Sequence, residues 1–294
     1  MKLLIVANRN NPKTIDALFQ IVAYLDSQGI GHFELDVNDL PDSSFPLIAG
    51  PDEIVRRFGE GYGLIVALGG DGTLLHASRL AFVFRCPIMG INFGHMGFLT
   101  NTAHDGVIPL IADALAGEIV REERMNLHIS VVCEGDDESE IELPRTFFAL
   151  NEIAIARGAL GHIVEYDYFV SGDRIAHLRG DGVVVSTATG STAYSLSAGG
   201  PLVGPSHRGM IVTPLAPHTL YSRAIVTEHH DVVEVTFEEG SASAVEVSLF
   251  ADGDALEFER PISSVVVTVS DRPTTLLTRR EESFYKQVSR TFFK

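Results

Sequence analysis

The first part of the chain alternates short apolar runs with stretches of helical period. Leu3 to Asn8 reads as a strand, and Asn11-Pro12 opens a helix whose apolar positions Ile15, Leu18, Phe19, Val22 and Leu25 keep that period up to Gly29. Phe33 to Val37 is a second strand, Pro41 to Gly50 a loop and Asp52 to Phe58 a short helix. Leu64-Ile-Val-Ala-Leu68 is an unbroken apolar run of the kind that fills a strand buried on both faces. Gly69-Gly70-Asp71-Gly72-Thr73 turns it into a helix marked by Leu74, Leu75, Ala77 and Ala81. Pro87 to Ile91 is a further strand, and Val107 to Ala116 closes this half as a helix. Strands alternating with helices predict an α/β N-terminal domain with a parallel sheet, residues 1–124.

From about Asn126 the pattern changes to Val-, Ile-, Phe- and Tyr-rich segments separated by short turns. Leu127 to Cys133, Arg145 to Leu150, Ile153 to Ala156, Ile163 to Ser171, Ile175 to Leu178 and Gly182 to Ser186 read as strands, as do Val232 to Phe237, Val245 to Phe250 and Ser263 to Val269. They predict a mostly antiparallel all-β C-terminal domain, residues 125–272. Glu134 to Glu142 carries six acidic residues and reads as a solvated hairpin tip. The tail, residues 273–294, ends in a helical stretch with Phe284, Val288 and Phe292 at i, i+4 and i+8, a face suited to packing back on a domain.

Composition narrows the function classes. A 45% hydrophobic share over 294 residues supports a sizeable core, and a net charge of −17 argues against coating nucleic acid or sitting on an anionic membrane. The two cysteines, Cys86 and Cys133, are far apart and read as reduced core thiols. The apolar start breaks at Asn8-Arg9-Asn10-Asn11-Pro12, too soon for a signal peptide, and no run is long enough to span a membrane. The expectation is a cytoplasmic protein with small-molecule partners.

Two stretches carry candidate chemistry. A strand that ends in Gly-Gly-Asp-Gly and feeds a helix N-terminus aims several backbone N–H groups at one point, which suits a phosphate. Asp71 then has three possible tasks: taking a proton from a nucleophile, binding a metal ion or holding sugar hydroxyls. A structural reading, Asp71 as a helix cap, stands beside them. The second stretch runs from Arg179-Gly-Asp181-Gly182 through Val183-Val-Val-Ser186 to Thr189-Gly-Ser-Thr192-Ala193-Tyr194-Ser195-Leu196-Ser197-Ala-Gly-Gly-Pro201. Its hydroxyls and helix-start N–H groups offer hydrogen bonds to an adenine, ribose or phosphate, and Tyr194 offers a ring for stacking. For lone residues plainer readings hold: His229-His230 as surface histidines alternating across a strand, and Asp252-Gly253-Asp254 as a hairpin turn at least as readily as a cation site.

Together these stretches resemble the NAD kinases. Gly69-Gly70-Asp71-Gly72-Thr73 is similar to that family's GGDGT, and Asn92-Phe-Gly-His-Met-Gly97-Phe98-Leu99 to its N-x-G-x-x-G-F-L. Leu150-Asn151-Glu152 is similar to its Asn-Glu pair, and Arg179 to Pro201 to its signature block. Pro217-His-Thr-Leu-Tyr-Ser-Arg223 resembles a later element. The resemblance implies phosphorylation of the 2′-hydroxyl of the adenosine ribose of NAD, with ATP or polyphosphate as donor and a divalent cation, Mg²⁺, accompanying ATP. It implies two domains with the active site in the cleft between them, a tail that returns to the first domain, and a homo-oligomer, dimer or tetramer.

Carried over residue by residue, Asp71 is similar to the family's general base, with Gly72 in the same site. Asn151 and Glu152 would hold ribose hydroxyls. Arg179, Asp181, Thr189 and the run Thr192, Ala193, Tyr194, Ser195, Leu196 and Ser197 would contact the dinucleotide, with Phe98 and Tyr194 near the bases. His76, His162 and Ala216 fall where further NAD contacts are placed; metal ligands are not assigned. The chain departs from the family at Ala188 and Ala224, where proline is common, and at Asp254, departures that bear on donor preference and affinity. A diacylglycerol-type lipid kinase shares the glycine-aspartate turn but gives no reason for Asn151-Glu152. A non-catalytic NAD-binding sensor would use the same residues without turnover.

Overall fold

The computed structural model describes residues 2–40, 51–94, 97–136, 145–158, 161–241, 244, 247–279 and 282–293. The loop expected over Pro41 to Gly50, most of the acidic run and His95-Met96 of the glycine motif lie outside the described residues. The chain forms two compact units, one built from Met1–Pro41, Asp52–Arg124 and Pro273–Lys294, the other chiefly from Met125–Arg272.

The first unit is an α/β sheet. Its strands are β1 (Lys2–Ala7), β2 (Gly31–Asp36), β3 (Tyr62–Leu68), β4 (Ile88–Asn92), β5 (Thr100–Thr102), β6 (Val120–Arg124) and, from the far end of the chain, β19 (Thr274–Thr278). They lie in the order β2-β1-β3-β4-β19-β6, with β5 also on β4, and every pair is parallel except β19 with β6. β1 and β3 are apolar on both faces because helices cover them. These helices are α1 (Pro12–Ser27), α2 (Pro51–Phe58), α3 (Asp71–Phe84), α4 (Val107–Ala116) and, much later, α6 (Phe284–Phe292). α1 starts where Asn11 accepts from the Lys13 N–H, with Pro12 in the first turn. Its buried face is Thr14, Ala17, Leu18, Ile21 and Leu25, whereas Phe19 is 68% exposed. The expected stripe was thus rotated by about a residue toward Phe19.

The second unit is antiparallel throughout. β11 (Asp173–Gly180), β10 (Val164–Val170), β15 (Val233–Thr236), β18 (Ile262–Val269), β7 (Leu127–Cys133) and β8 (Arg145–Ala149) form one six-stranded sheet in that order. β14 (Ile225–Val226), β13 (Ile211–Leu215), β12 (Gly182–Ser186), β9 (Glu152–Arg157), β16 (Val247–Ala251) and β17 (Asp254–Leu256) form another. One core cluster draws on both sheets: Ile129 and Val131 of β7 and Val265 and Val267 of β18 join Ile153, Ile155, Val183, Val185 and Leu249. A short helix α5 (Tyr194–Ser197) follows β12. His229 and His230 lie in a turn, with ring centroids 4.6 Å apart, and not across a strand. Asp136, read as part of a solvated tip, instead accepts from the Cys133 N–H at 2.9 Å and pairs with Arg145 and Arg260.

Candidate active site

The glycine turn leaves the carboxyl end of β3, where open parallel sheets bind ligands. Asp71 is the first residue of α3, and the preceding Gly70 makes no side-chain cap. The Asp71 carboxylate does not cap the helix either; it reaches to the segment entering β5. Oδ2 accepts from the Phe98 N–H at 2.7 Å, and Oδ1 accepts from the Leu99 N–H at 3.3 Å and from Thr100 Oγ1 at 3.0 Å. Three of its roughly four lone-pair positions are thereby used, which leaves one on Oδ2. Gly97 is pressed against the same carboxylate: a Cβ there would lie 2.0 Å from Oδ1, so only glycine fits. Thr100 was not singled out by the sequence, since nothing local shows that its hydroxyl meets a residue 29 positions earlier.

In the second unit, strand alternation builds a second cluster. Ile153 and Ile155 of β9 point into the shared core, so Glu152, Ala154 and Ala156 lie on the opposite face. Phe250 of β16 joins that face by the same rule. The small alanines leave a cavity of about 220 Å³ lined by Glu152, Ala154, Ala156, Tyr194, Phe250 and Gly253. Asn151 and Glu152 are buried, and Asn151 Oδ1 and Glu152 Oε2 accept no hydrogen bond from the chain. Their backbone is held by Asp252, whose carboxylate accepts from the N–H groups of Leu150 at 2.8 Å, Asn151 at 2.7 Å and Glu152 at 3.1 Å. Asp252 and Gly253 form the two-residue β16–β17 hairpin with φ of 50° and 92°, the turn expected from Asp-Gly. The reach of that carboxylate to Asn151, 101 residues away, had no sequence signal.

Burial and the neighbouring Asp252 charge push the Glu152 carboxyl up to about 8, against a smaller opposing effect of the Tyr194 backbone N–H that bonds it. Between the ordinary value near 4.5 and about 8 the folded chain holds a proton that the unfolded chain has released, so stability falls as pH rises through that window. Glu152→Gln removes this loss. In urea unfolding, the wild-type stability relative to the Gln variant is expected to fall by about 1.4 kcal/mol per pH unit across the window. A pH-independent difference would show that Glu152 is ionised throughout.

The hydroxyl-rich segment after β12 is largely bonded within itself. Thr187 Oγ1 donates to Leu150 O at 2.7 Å and accepts from the Gly190 N–H. Ser191 Oγ donates to Ala188 O and accepts from the Val203 N–H, Thr192 Oγ1 donates to Thr189 O, and Ser195 Oγ pairs with Thr213 Oγ1. Thr189 is buried, Ala193, Thr192 and Leu196 are half-buried, and Ser197 and Tyr194 are exposed. Arg179 is exposed and Asp181 half-buried, and they pair with Glu165 and Arg157. Ala216 adopts φ of 40° just past β13. Gly72 is exposed and His76 half-buried in α3, and the Phe98 ring faces phenylalanines of α6. His162 is exposed. Thus Asp71, Gly72, His76 and Phe98 belong to the first unit and the remaining candidates to the second. Among the described residues no group of three or more His, Cys, Asp or Glu is placed to hold a metal ion, and no helix is long and apolar enough to cross a membrane.

Residues 50–119 match the ATP-NAD kinase N-terminal domain and residues 150–278 the ATP-NAD kinase C-terminal domain. The chain is 34% identical to the NAD kinase of Laribacter hongkongensis over 259 residues, covering 88% of this chain and 86% of that protein. It is also 34% identical to the NAD kinase of Moorella thermoacetica over 287 residues, 96% of this chain and 86% of that one. Its fold matches yeast NADH kinase complexed with NADH at a TM-score of 0.77, covering 100% of this chain and 88% of the other at 20% identity. An Archaeoglobus fulgidus NAD kinase in complex with ATP matches at a TM-score of 0.72, covering 98% of each chain at 24% identity. The two matched domains are those of a phosphotransferase. The chain belongs to the NAD kinase family.

Proposed function

We propose that this chain transfers the terminal phosphoryl group of ATP to the 2′-hydroxyl of the adenosine ribose of NAD, giving NADP. The observation that supports this acceptor most is the pair of buried, unpartnered oxygens, Asn151 Oδ1 and Glu152 Oε2. Ribose hydroxyls both donate and accept, so they can partner an amide oxygen and a protonated carboxyl alike, and meeting them removes the cost of two unpaired buried groups. Tyr194 and Phe250 beside Glu152 supply ring faces for a base. Thr189, Thr192, Ala193, Ser195, Leu196 and Ser197 hold the shape of this wall, with Arg179, Asp181, His162, His76 and Ala216 as further contacts to the dinucleotide.

Asp71 takes the 2′-hydroxyl proton on the remaining lone pair of Oδ2 as the new P–O bond forms and the bond from the terminal phosphorus to the departing ADP oxygen breaks, with Gly72 beside it. Alignment of oxygen and phosphorus and neutralisation of charge carry most of the barrier reduction in phosphoryl transfer. The reaction needs a divalent cation, and Mg²⁺ accompanying ATP would neutralise charge on the donor phosphates. A homo-oligomer and a cytoplasmic setting complete the reading.

The test is NADP formation from NAD and Mg-ATP, read by a dehydrogenase specific for NADP, with polyphosphate as a parallel donor and calorimetric titration of NAD alongside. NADP with ATP supports the proposal, and NADP with polyphosphate extends the donor class. NAD binding without NADP from either donor would replace the kinase by a sensor.

A further inference from the structure

We infer that the C-terminal helix α6 is a positioning element for Asp71, acting through the Gly97–Thr100 segment, with Gln287 and Phe292 as its positioning residues. The inference rests on the reading of Asp71 as proton acceptor. Its topological basis is β19. This strand runs parallel to β4 and pairs with it at Leu276 and Ile88, so the chain leaves both strands at the same edge of the sheet. That edge carries the turn after β3, which is also parallel to β4. The helix after β19 and the connection from β4 to β5 are therefore delivered to the same place as Asp71.

Side-chain geometry makes the connection specific. Phe284, Val288 and Phe292 recur at one face of α6, and Val288 is buried. The Phe292 ring stacks on Phe98 with centroids 5.7 Å apart and planes within 9°, and Phe284 tilts against the same ring at 6.2 Å. Gln287 Nε2 donates to Gly97 O at 2.5 Å. On its other side the same short segment gives Asp71 the N–H groups of Phe98 and Leu99 and the Thr100 hydroxyl. Phe98 is thus held twice, by its ring from α6 and by its N–H from Asp71. A shift of the ring moves the N–H that orients the carboxylate. α6 is itself fixed at its start, where Ser283 accepts from the Lys286 N–H and Glu282 pairs with Arg290. Tyr285 packs edge-on against Phe284 with centroids 5.3 Å apart, and it and Phe293, which follows the helix, are 72% and 71% exposed.

The experiment uses the full chain with Gln287→Ala and Phe292→Ala combined, in wild-type and Asp71→Asn backgrounds, with kcat and KM for NAD read separately. In the wild-type background kcat is expected to fall at least tenfold while KM stays within twofold, and Phe292→Tyr, which keeps the stack, restores the rate. In the Asp71→Asn background the same pair is expected to change the residual rate by less than twofold, because the carboxylate it orients is gone. An unchanged kcat in the first background overturns the inference. So does an equal fall in both backgrounds, which would make α6 structural only. Full turnover by Asp71→Asn alone would remove the reading of Asp71 itself, a result separate from either.

Discussion

Asp71→Asn is expected to lower kcat for NADP formation by roughly 10²- to 10⁴-fold, the range associated with loss of a positioned general base. The substitution separates two tasks that Asp71 performs at once. As a tether it accepts three hydrogen bonds from residues 98–100. Asparagine preserves most of that tether: its carbonyl oxygen stays on the Phe98 N–H, and its amide faces Thr100, whose hydroxyl accepts as readily as it donates. What asparagine lacks is an oxygen able to take a proton. Folding stability should therefore drop by only about 1 kcal/mol, and NAD affinity measured by titration should stay within about threefold, because Asn151 and Glu152 are left unchanged. Turnover equal to wild type would leave Asp71 as a tether alone.

How far the sequence reveals this site depends on distance along the chain. β7 and β12 coincide with the expected Leu127 to Cys133 and Gly182 to Ser186, and α4 with Val107 to Ala116, because periodicity and flanking turns are local. β6 has the sequence Val-Arg-Glu-Glu-Arg and no apolar period. It becomes a strand only by pairing with β19, about 150 residues later. β13 contains Pro214, which argues against a strand by composition, yet it lies between β12 and β14. The same limit governs the chemistry. Asp71 was visible in its glycine turn, and Asn151 and Glu152 only through the resemblance of their pair to the family's. The groups that orient them, Thr100 and Asp252, act across 29 and about 100 residues.

The hydroxyl-dense block after β12 carries a bonding pattern that its composition does not show. Burial requires most of its polar groups to be satisfied within the chain. Thr187, Ser191 and Ser195 spend their hydroxyls on Leu150 O, Ala188 O and Thr213. The result is a rigid loop that presents the Tyr194 N–H to Glu152. Polar residues here shape the site by holding its backbone.

Gly182→Ala is expected to be among the most damaging single methyls in the second unit, destabilising it by on the order of 4 kcal/mol. Gly182 opens β12 with φ of 137°, a region L side chains rarely adopt, and a Cβ there would lie 2.0 Å from Ile155 O. The obstacle is backbone, and it cannot step aside. β12 is clamped between β9 and β13, with Gly182 opposite both Ala156 and Leu215, and Gly182 O accepts from the buried Tyr166 hydroxyl of the facing sheet at 2.9 Å. Relief would require β12 to part from β9, the strand that carries Glu152. Gly172→Ala provides the comparison: its φ of 88° is also positive, but a Cβ there meets nothing within 4 Å, so only the conformational cost of about 1–2 kcal/mol applies. Urea midpoints of the two variants separate the contributions. If they fall equally, β12 and β9 relax around the methyl group and the contact with Ile155 O is not what requires glycine; a much larger fall for Gly182→Ala assigns that glycine to strand packing.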